Sequence, residues 1–559
     1  MKTIEQRRDA LSARFPQWTP RTLDGWLDLC AEQYGDRPLV ITDEATQSYA
    51  EVAEESRILA DALVTLGVKP GARVGMLMAN YREFVPFKFA IARTGAIAIP
   101  FNFLYRAEEL GYVLEQSGAS MLLTMTGFAN LDYMEMLDTL TPGWETAPTI
   151  GELTQVVVLS TDRRRREGAR TYQDLLELGR QHPGAAKSGH QPSDLGDMLY
   201  TSGSTGSPKG VVVTHDAVLR TGYASALTRA YDDGRRILFS LPCYHMFGYI
   251  EGILSATMVG GAVILQTKFS PEAYLAGIER HRADDILCVP TMAVGMVECP
   301  TREEYDISSL SGILCGSAPA PIWLWEKVEE LFGVSEIVTG YGMTECGGAM
   351  TLTLPEDPLE LTSTTAGRPK LAGAAGVEGT DALCVYSVVD PVTGEALPEG
   401  ETGELVSRGP TMMVGYWNKP EATAEALSAD GVLRSGDLGR VRPDGYLEVT
   451  GRSKELYKSG GELVMPKEVE DLIGRLDEVS QAFAVGILDD RWGEIGALVI
   501  VRSPGAELTE QQVVDHCKKH LARFKVPKLV RFLEADDLPT TPTGKIQKFR
   551  LVDMVSKSL

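Results

Sequence analysis

The 559-residue chain has no uninterrupted apolar run approaching the ~18 residues that a membrane-spanning helix needs. Its start, MKTIEQRRDALSARF, carries charges where a secretory signal requires an apolar centre. Cysteine is sparse and scattered: the eight, at 30, 243, 288, 299, 315, 346, 384 and 517, form no close pairs, which argues against a disulfide framework. Positive charge is in deficit, with 54 Lys and Arg against 77 Asp and Glu for a net charge of −23. That balance speaks against nucleic acid or an anionic membrane as the general partner, and an anionic substrate would need a local cationic site. A cytoplasmic location is therefore expected; the sequence is compatible with a homodimer but does not specify one.

What the chain does have is apolar material. Hydrophobic residues make up 44% and charged residues a well-mixed 23%, so the chain reads as globular throughout. At roughly 100 to 200 residues per domain it should fold as several units. Residues 73 to 124 alternate short buried runs with amphipathic stretches: RVGMLMAN, VPFKFAIART, AIAIPFN, RAEELGYVLEQSG and ASMLLT. Ala107, Leu110, Val113 and Leu114 recur at helical spacing, so the pattern predicts strands alternating with helices around a largely parallel sheet. The rhythm returns from 237 to 340 in RILFSLPCY, AVILQ, DDILCVP and SGILCGS. The run Arg163 to Arg166 lies between them in a loop, where a solvated surface is the simplest reading.

From 375 to 450 the texture becomes short strands and turns, predicting a small β subdomain. Beyond Gly451 a compact α+β unit is expected, with helices over 466–476 and 509–522 and strands at QAFAVGIL, ALVIVR and LVRFL. His516 and His520 are spaced like helix-borne metal ligands, but Cys517 between them falls on an apolar face with Val513, Val514 and Leu521, and no third ligand cluster accompanies them.

The densest chemical signal is YTSGSTGSPKG, residues 200 to 210. Glycines let backbone N–H groups approach phosphate oxygens, the hydroxyls of Thr201, Ser202, Ser204 and Thr205 donate further hydrogen bonds, and Lys209 adds charge. Pro208 precedes the lysine and a β-like GVVVTH follows, so the loop is not the phosphoryl-transfer type that opens a helix. A different nucleotide chemistry is implied.

The segment resembles the signature loop of the adenylate-forming superfamily of acyl-CoA synthetases, luciferases and peptide-synthetase adenylation domains. Six further segments match in order: LPCYHMFG at 241–248, GSAPAP at 316–321, TGYGMTE at 339–345, SGDLGRVRPDGYLEVTGR at 435–452, KSGGE at 458–462 and PTGKIQK at 542–548. The resemblance implies a large α/β domain over 1–451, with two αβαβα-type sheets and the β subdomain, followed by a mobile α+β domain over 452–559 hinged near Lys454. It implies an acid–thiol ligase that uses ATP, Mg2+ and coenzyme A.

By resemblance, Thr201, Ser202, Gly203, Ser204, Thr205, Gly206 and Lys209 would hold phosphates, with Thr344 nearby. Glu345 would hold Mg2+ with Thr205. Tyr341, within Gly340, Gly342 and Met343, would stack on adenine, with Gly316, Ser317 and Ala318 along its edge. Asp437 would accept the ribose hydroxyls, assisted by Arg452. His245 would border the acyl pocket, walled by Phe247, Tyr249 and Ile250. Lys545 would bridge the α-phosphate and the acid during adenylation. A swing about Lys454 would then bring in Lys458, Gly460, Gly461 and Glu462 for thiol attack, although Leu463 stands where the family usually has asparagine. The expected substrate is a fatty, alicyclic or related hydrophobic acid. Two alternatives stay open: transfer to an amine or carrier protein, and a non-catalytic acyl- or nucleotide-binding protein.

Overall fold

A computed structural model describes residues 2–187, 189–201, 208–452, 455–459, 462–489, 493–541 and 546–557. The chain divides into two compact units, one of Met1–Val385 with Ser407–Leu433, the other of Tyr386–Val406 with Arg434–Leu559.

The first unit is built on two large sheets. One runs Glu336–Val338, Gly312–Cys315, Asp285–Cys288, Arg236–Phe239, Ala262–Leu265, Pro38–Ile41, Thr46–Ser48, parallel except at the last pair. The other runs Gly415–Tyr416, Lys209–Thr214, Leu195–Thr201, Ile97–Pro100, Arg73–Leu77, Met121–Met125, Gln155–Leu159, Arg170–Thr171. It is parallel from Leu195–Thr201 onward and antiparallel at the end that carries Lys209–Thr214 and Gly415–Tyr416.

Both expected strand–helix series are present. Helix Phe84–Arg93 is buried along its whole length, so its sequence is apolar almost all round. Helix Ala107–Ser117 buries Leu110, Val113 and Leu114, carries Glu108 and Glu109 in its first turn, and stops at Gly118 in the left-handed conformation (φ 60°). Arg163 to Arg166 are exposed; Arg164 pairs with Asp132 and Asp162, and Arg166 with Asp138 and Glu145, so two of the four charges are answered by carboxylates.

Buried charge is paired at several places in this unit, among them Lys370 with Glu251 at 2.6 Å. Arg229 and Arg235 both bond the Asp285 carboxylate at the start of its strand, and a Cβ at Gly312 would lie 2.3 Å from an Arg235 guanidinium nitrogen, so glycine makes room for that side chain. Elsewhere Lys88, on helix Phe84–Arg93, places its ammonium 2.6 Å from Asp197 on strand Leu195–Thr201. The Tyr249 hydroxyl donates to the other Asp197 oxygen at 3.1 Å, and the Lys88 ammonium sits 4.7 Å from the Tyr249 ring centroid.

The second unit holds a four-stranded sheet in the order Val385–Val389, Gly403–Arg408, Leu433–Val441, Leu447–Arg452, in the region where the β subdomain was expected. Its C-terminal part has a sheet of Glu462–Val464, Tyr457–Ser459, Gly493–Arg502 and Val479–Asp489, with Leu529–Phe532 parallel to Gly493–Arg502. Helices Pro466–Ile473 and Glu510–His520 cover one face through Val469, Ile473, Val513 and Cys517. The other face receives Leu551 and Val555 of Lys548–Ser556, a nine-residue helix not anticipated from the sequence. Among the described residues no helix is long and apolar enough to cross a membrane.

Replacing Asp197 with Ala would strand a buried ammonium. A loss of about 3 to 5 kcal/mol is expected, read as a lower denaturant midpoint, and the joint change Lys88→Met with Asp197→Leu should restore most of it.

Candidate active site

Parallel strands exit a sheet on a common edge, and that geometry gathers three of the motifs. Arg236–Phe239, Gly312–Cys315 and Glu336–Val338 deliver, at their carboxyl ends, the segments beginning at Leu241, Gly316 and Gly340. Open α/β sheets bind ligands at this edge.

The first segment is held from the other sheet. Asn80 donates its amide to the Leu241 carbonyl (2.9 Å) and the Gln266 carbonyl (3.2 Å), and its own side-chain oxygen accepts the Cys243 N–H at 2.9 Å. Sequence reasoning missed Asn80; the signal was a polar residue closing the apolar run MLMAN, and the structure buries it. His245, half-buried, accepts the Phe247 backbone N–H on Nδ1 at 3.2 Å, which places the proton of a neutral ring on Nε2. The chain then winds as a π-helix over Phe247–Leu254, a form that recurs at functional sites.

The expected acyl-wall residues separate here. Phe247 is half-buried and lies against Gly316, where a Cβ would come within 3.1 Å of its ring. Tyr249 is buried with its hydroxyl on Asp197, and Ile250 is buried beside Gly348. Within Gly316, Ser317 and Ala318, Ser317 is exposed and takes φ 73°, a left-handed conformation uncommon for a residue with a side chain.

Strand Gly340–Met343 pairs with Gly348–Leu352 so closely that a Cβ on Gly340 would lie 2.2 Å from the Thr351 carbonyl oxygen, and one on Gly342 2.1 Å from that of Gly348. The glycines flanking Tyr341 are thus demanded by backbone contact, and the Tyr341 N–H donates to Thr351 Oγ1 at 3.2 Å. Thr344 and Glu345, both buried, open the tight turn that follows.

Glu345 is only 8% exposed. Its Oε1 accepts the Tyr416 hydroxyl at 2.8 Å, its backbone carbonyl accepts the Met413 N–H at 2.8 Å, and among the described residues no Lys or Arg pairs with the carboxylate. A nearly buried carboxylate without a protein counter-charge suits a hard divalent cation. Lys209 heads its strand opposite Thr201, and its ammonium lies 4.8 Å from the Tyr416 ring centroid. Tyr416 was also missed, being one aromatic in an unremarkable GYW.

In the second unit Asp437 stands opposite Arg452 across two antiparallel strands, with Arg452 Nε 3.0 Å from Asp437 Oδ1. Asp437 is 5% exposed. Its turn is braced by Ser435 Oγ, which accepts the Asp437 N–H at 3.0 Å, and by Glu404, which accepts the Gly436 N–H at 3.1 Å. Lys458 and Glu462 occupy adjacent antiparallel strands, facing Leu463 and Ser459 respectively. Ser202, Gly203, Ser204, Thr205, Gly206, Lys454, Gly460, Gly461 and Lys545 lie outside the described residues.

Residues 27–417 match the AMP-binding enzyme family and residues 468–545 the AMP-binding enzyme C-terminal domain. The chain belongs to the AMP-binding enzyme family, and its relatives place it among the AMP-forming acid–thiol ligases. It is 33% identical to a methyl-dioxo-octahydroindenyl-propanoyl:CoA ligase of Mycobacterium tuberculosis, covering 96% of this chain and 99% of that one. It is 34% identical to a feruloyl-CoA synthase of an Amycolatopsis species, covering 90% and 92%. The ATP-bound MatB of Rhodopseudomonas palustris superposes with a TM-score of 0.81 at 26% identity, covering 96% of this chain and 99% of that one.

Gly342→Ala should push the Tyr341 strand off its neighbour and weaken ATP binding, measured by calorimetry without acid, by about tenfold or more, the scale of a misplaced contact worth ~1.4 kcal/mol.

Proposed function

We propose that the chain adenylates a hydrophobic carboxylic acid, fatty, alicyclic or related, with ATP and passes the acyl group to coenzyme A. The observation that carries this reading is Glu345, a nearly buried carboxylate with no cationic partner among the described residues, set next to the GYG strand and near Lys209 by way of Tyr416. The octahydroindenyl-propanoyl and feruloyl names of two relatives support a bulky apolar acid.

The acid is ionised at neutral pH, so attack on the α-phosphate needs no general base. It needs two anions held together, and the chain's task is positioning and neutralisation. Bound Mg2+ supplies positive charge at the phosphates, with Glu345 as its protein carboxylate and Thr205 as the expected companion. Lys209 contributes a fixed cation at the end of the phosphate loop. Tyr341, on a strand its flanking glycines let lie close against its neighbour, offers a ring for adenine, and Asp437 offers a carboxylate for ribose hydroxyls. His245, its proton directed to Nε2, borders the acyl side with Phe247. Lys545 is assigned to adenylation, and the segment from Lys458 to Glu462 to the thiol step, exchanged about Lys454.

Acid-dependent pyrophosphate release over a panel of acids, with CoA and separately with an amine as acceptor, tests the reading; thioester formation is expected. Pyrophosphate release with none of the acids would sink it, and amide formation alone would move the acceptor. Lys545→Ala should slow pyrophosphate release about 100- to 1000-fold while still making thioester from supplied acyl adenylate. Gly461→Trp should do the reverse. Equal loss of both half-reactions in either variant would overturn the assignment of roles.

A further inference from the structure

Tyr416 sits more than 200 residues beyond Lys209 and about 70 beyond Glu345, yet it touches both. Its backbone is fixed on each side. The strand Gly415–Tyr416 pairs with Lys209–Thr214, Val211 facing Tyr416. The Tyr416 N–H donates to Thr423 Oγ1 at 2.9 Å, the Trp417 N–H to the Gly210 carbonyl at 2.7 Å, and the Gln116 amide to the Trp417 carbonyl at 2.9 Å. Gly415 is part of this arrangement, because a Cβ there would press on Thr423 at 2.9 Å.

A ring pinned this way has little freedom, and its two polar capacities point to two different groups. The hydroxyl donates to Glu345 Oε1 at 2.8 Å; the ring lies beneath the Lys209 ammonium at 4.8 Å. Lys209 and Glu345 carry opposite charges and meet the same residue, yet they form no ion pair with each other. Were they to close on one another, the cation would be lost to phosphate and the carboxylate to metal.

We propose that Tyr416 is a positioning residue for adenylation: it orients Glu345 toward the metal and holds Lys209 apart from it, leaving both charges for Mg2+ and ATP. This rests on the function proposed above, since it presumes that Glu345 meets the metal. A cation over an aromatic face is held there by the ring's quadrupole, enough to bias a flexible lysine. Groups that orient a metal-binding carboxylate typically change metal affinity or activity by about 10- to 100-fold when removed.

The test is Tyr416→Phe, which keeps the ring and removes one oxygen. By calorimetry without acid, affinity for ATP in the presence of Mg2+ should fall about tenfold, while affinity for ATP with the metal chelated stays within about twofold. The Mg2+ concentration for half-maximal pyrophosphate release should rise by a similar factor, and thioester formation from supplied acyl adenylate should be unchanged. Tyr416→Leu should additionally weaken metal-free ATP, because Lys209 loses its ring; should that variant not fold, the phenylalanine result stands alone. Equal weakening with and without Mg2+, equal loss in both half-reactions, or no change at all in the phenylalanine variant would overturn the proposal. Failure of the unaltered protein to bind ATP more tightly with Mg2+ is a separate outcome, and it would overturn the function on which the proposal rests.

Discussion

Asp197 has no exposure to water, and a carboxylate in that position must be answered within the protein or not be there. It is answered by the Lys88 ammonium on one oxygen and the Tyr249 hydroxyl on the other. Those contacts join three elements: the strand that leads into the phosphate loop, a helix buried along its length, and the π-helix that begins just after His245. Removing either charge leaves the other uncompensated, so the relative placement of strand Leu195–Thr201 and the π-helix is fixed by electrostatics as well as by packing.

The rest of the first unit's site follows from parallel topology. Strands that all point one way must release their chains at one edge, so segments separated by a hundred residues meet there without any local sequence signal for the meeting. Fine placement then falls to small residues. Gly340 and Gly342 are set by carbonyl oxygens of the neighbouring strand, and Gly316 by the Phe247 ring. A motif written as GYG is, physically, a statement about how near two backbones must come.

The supporting residues share a pattern. Asn80 holds the Leu241 and Cys243 backbone from the opposite sheet, Glu404 holds the Gly436 N–H ahead of Asp437, and Tyr416 meets both Glu345 and Lys209. None of them belongs to the ordered motifs, and each is far in sequence from what it supports. Tyr249 shows the converse: resemblance made it a pocket-wall candidate, and its hydroxyl is also engaged by a buried carboxylate that no local pattern announces.

The sequence by itself determined the strand and helix alternation over 73–124 and 237–340, because periodic burial is written in the order of apolar residues. It also determined the chemical class, through ordered motifs whose glycines, hydroxyls and single lysines have few other uses together. Only the tertiary structure decided which residues serve those motifs: that Glu345 lacks a protein cation among the described residues, that Tyr416 stands between it and Lys209, and that Asp197 anchors the π-helix. The physical reason is that hydrogen bonds and ion pairs of this kind are long-range in sequence and leave no periodic trace. The closing helix Lys548–Ser556 was equally illegible, being nine residues whose apolar face is defined only by the sheet it covers.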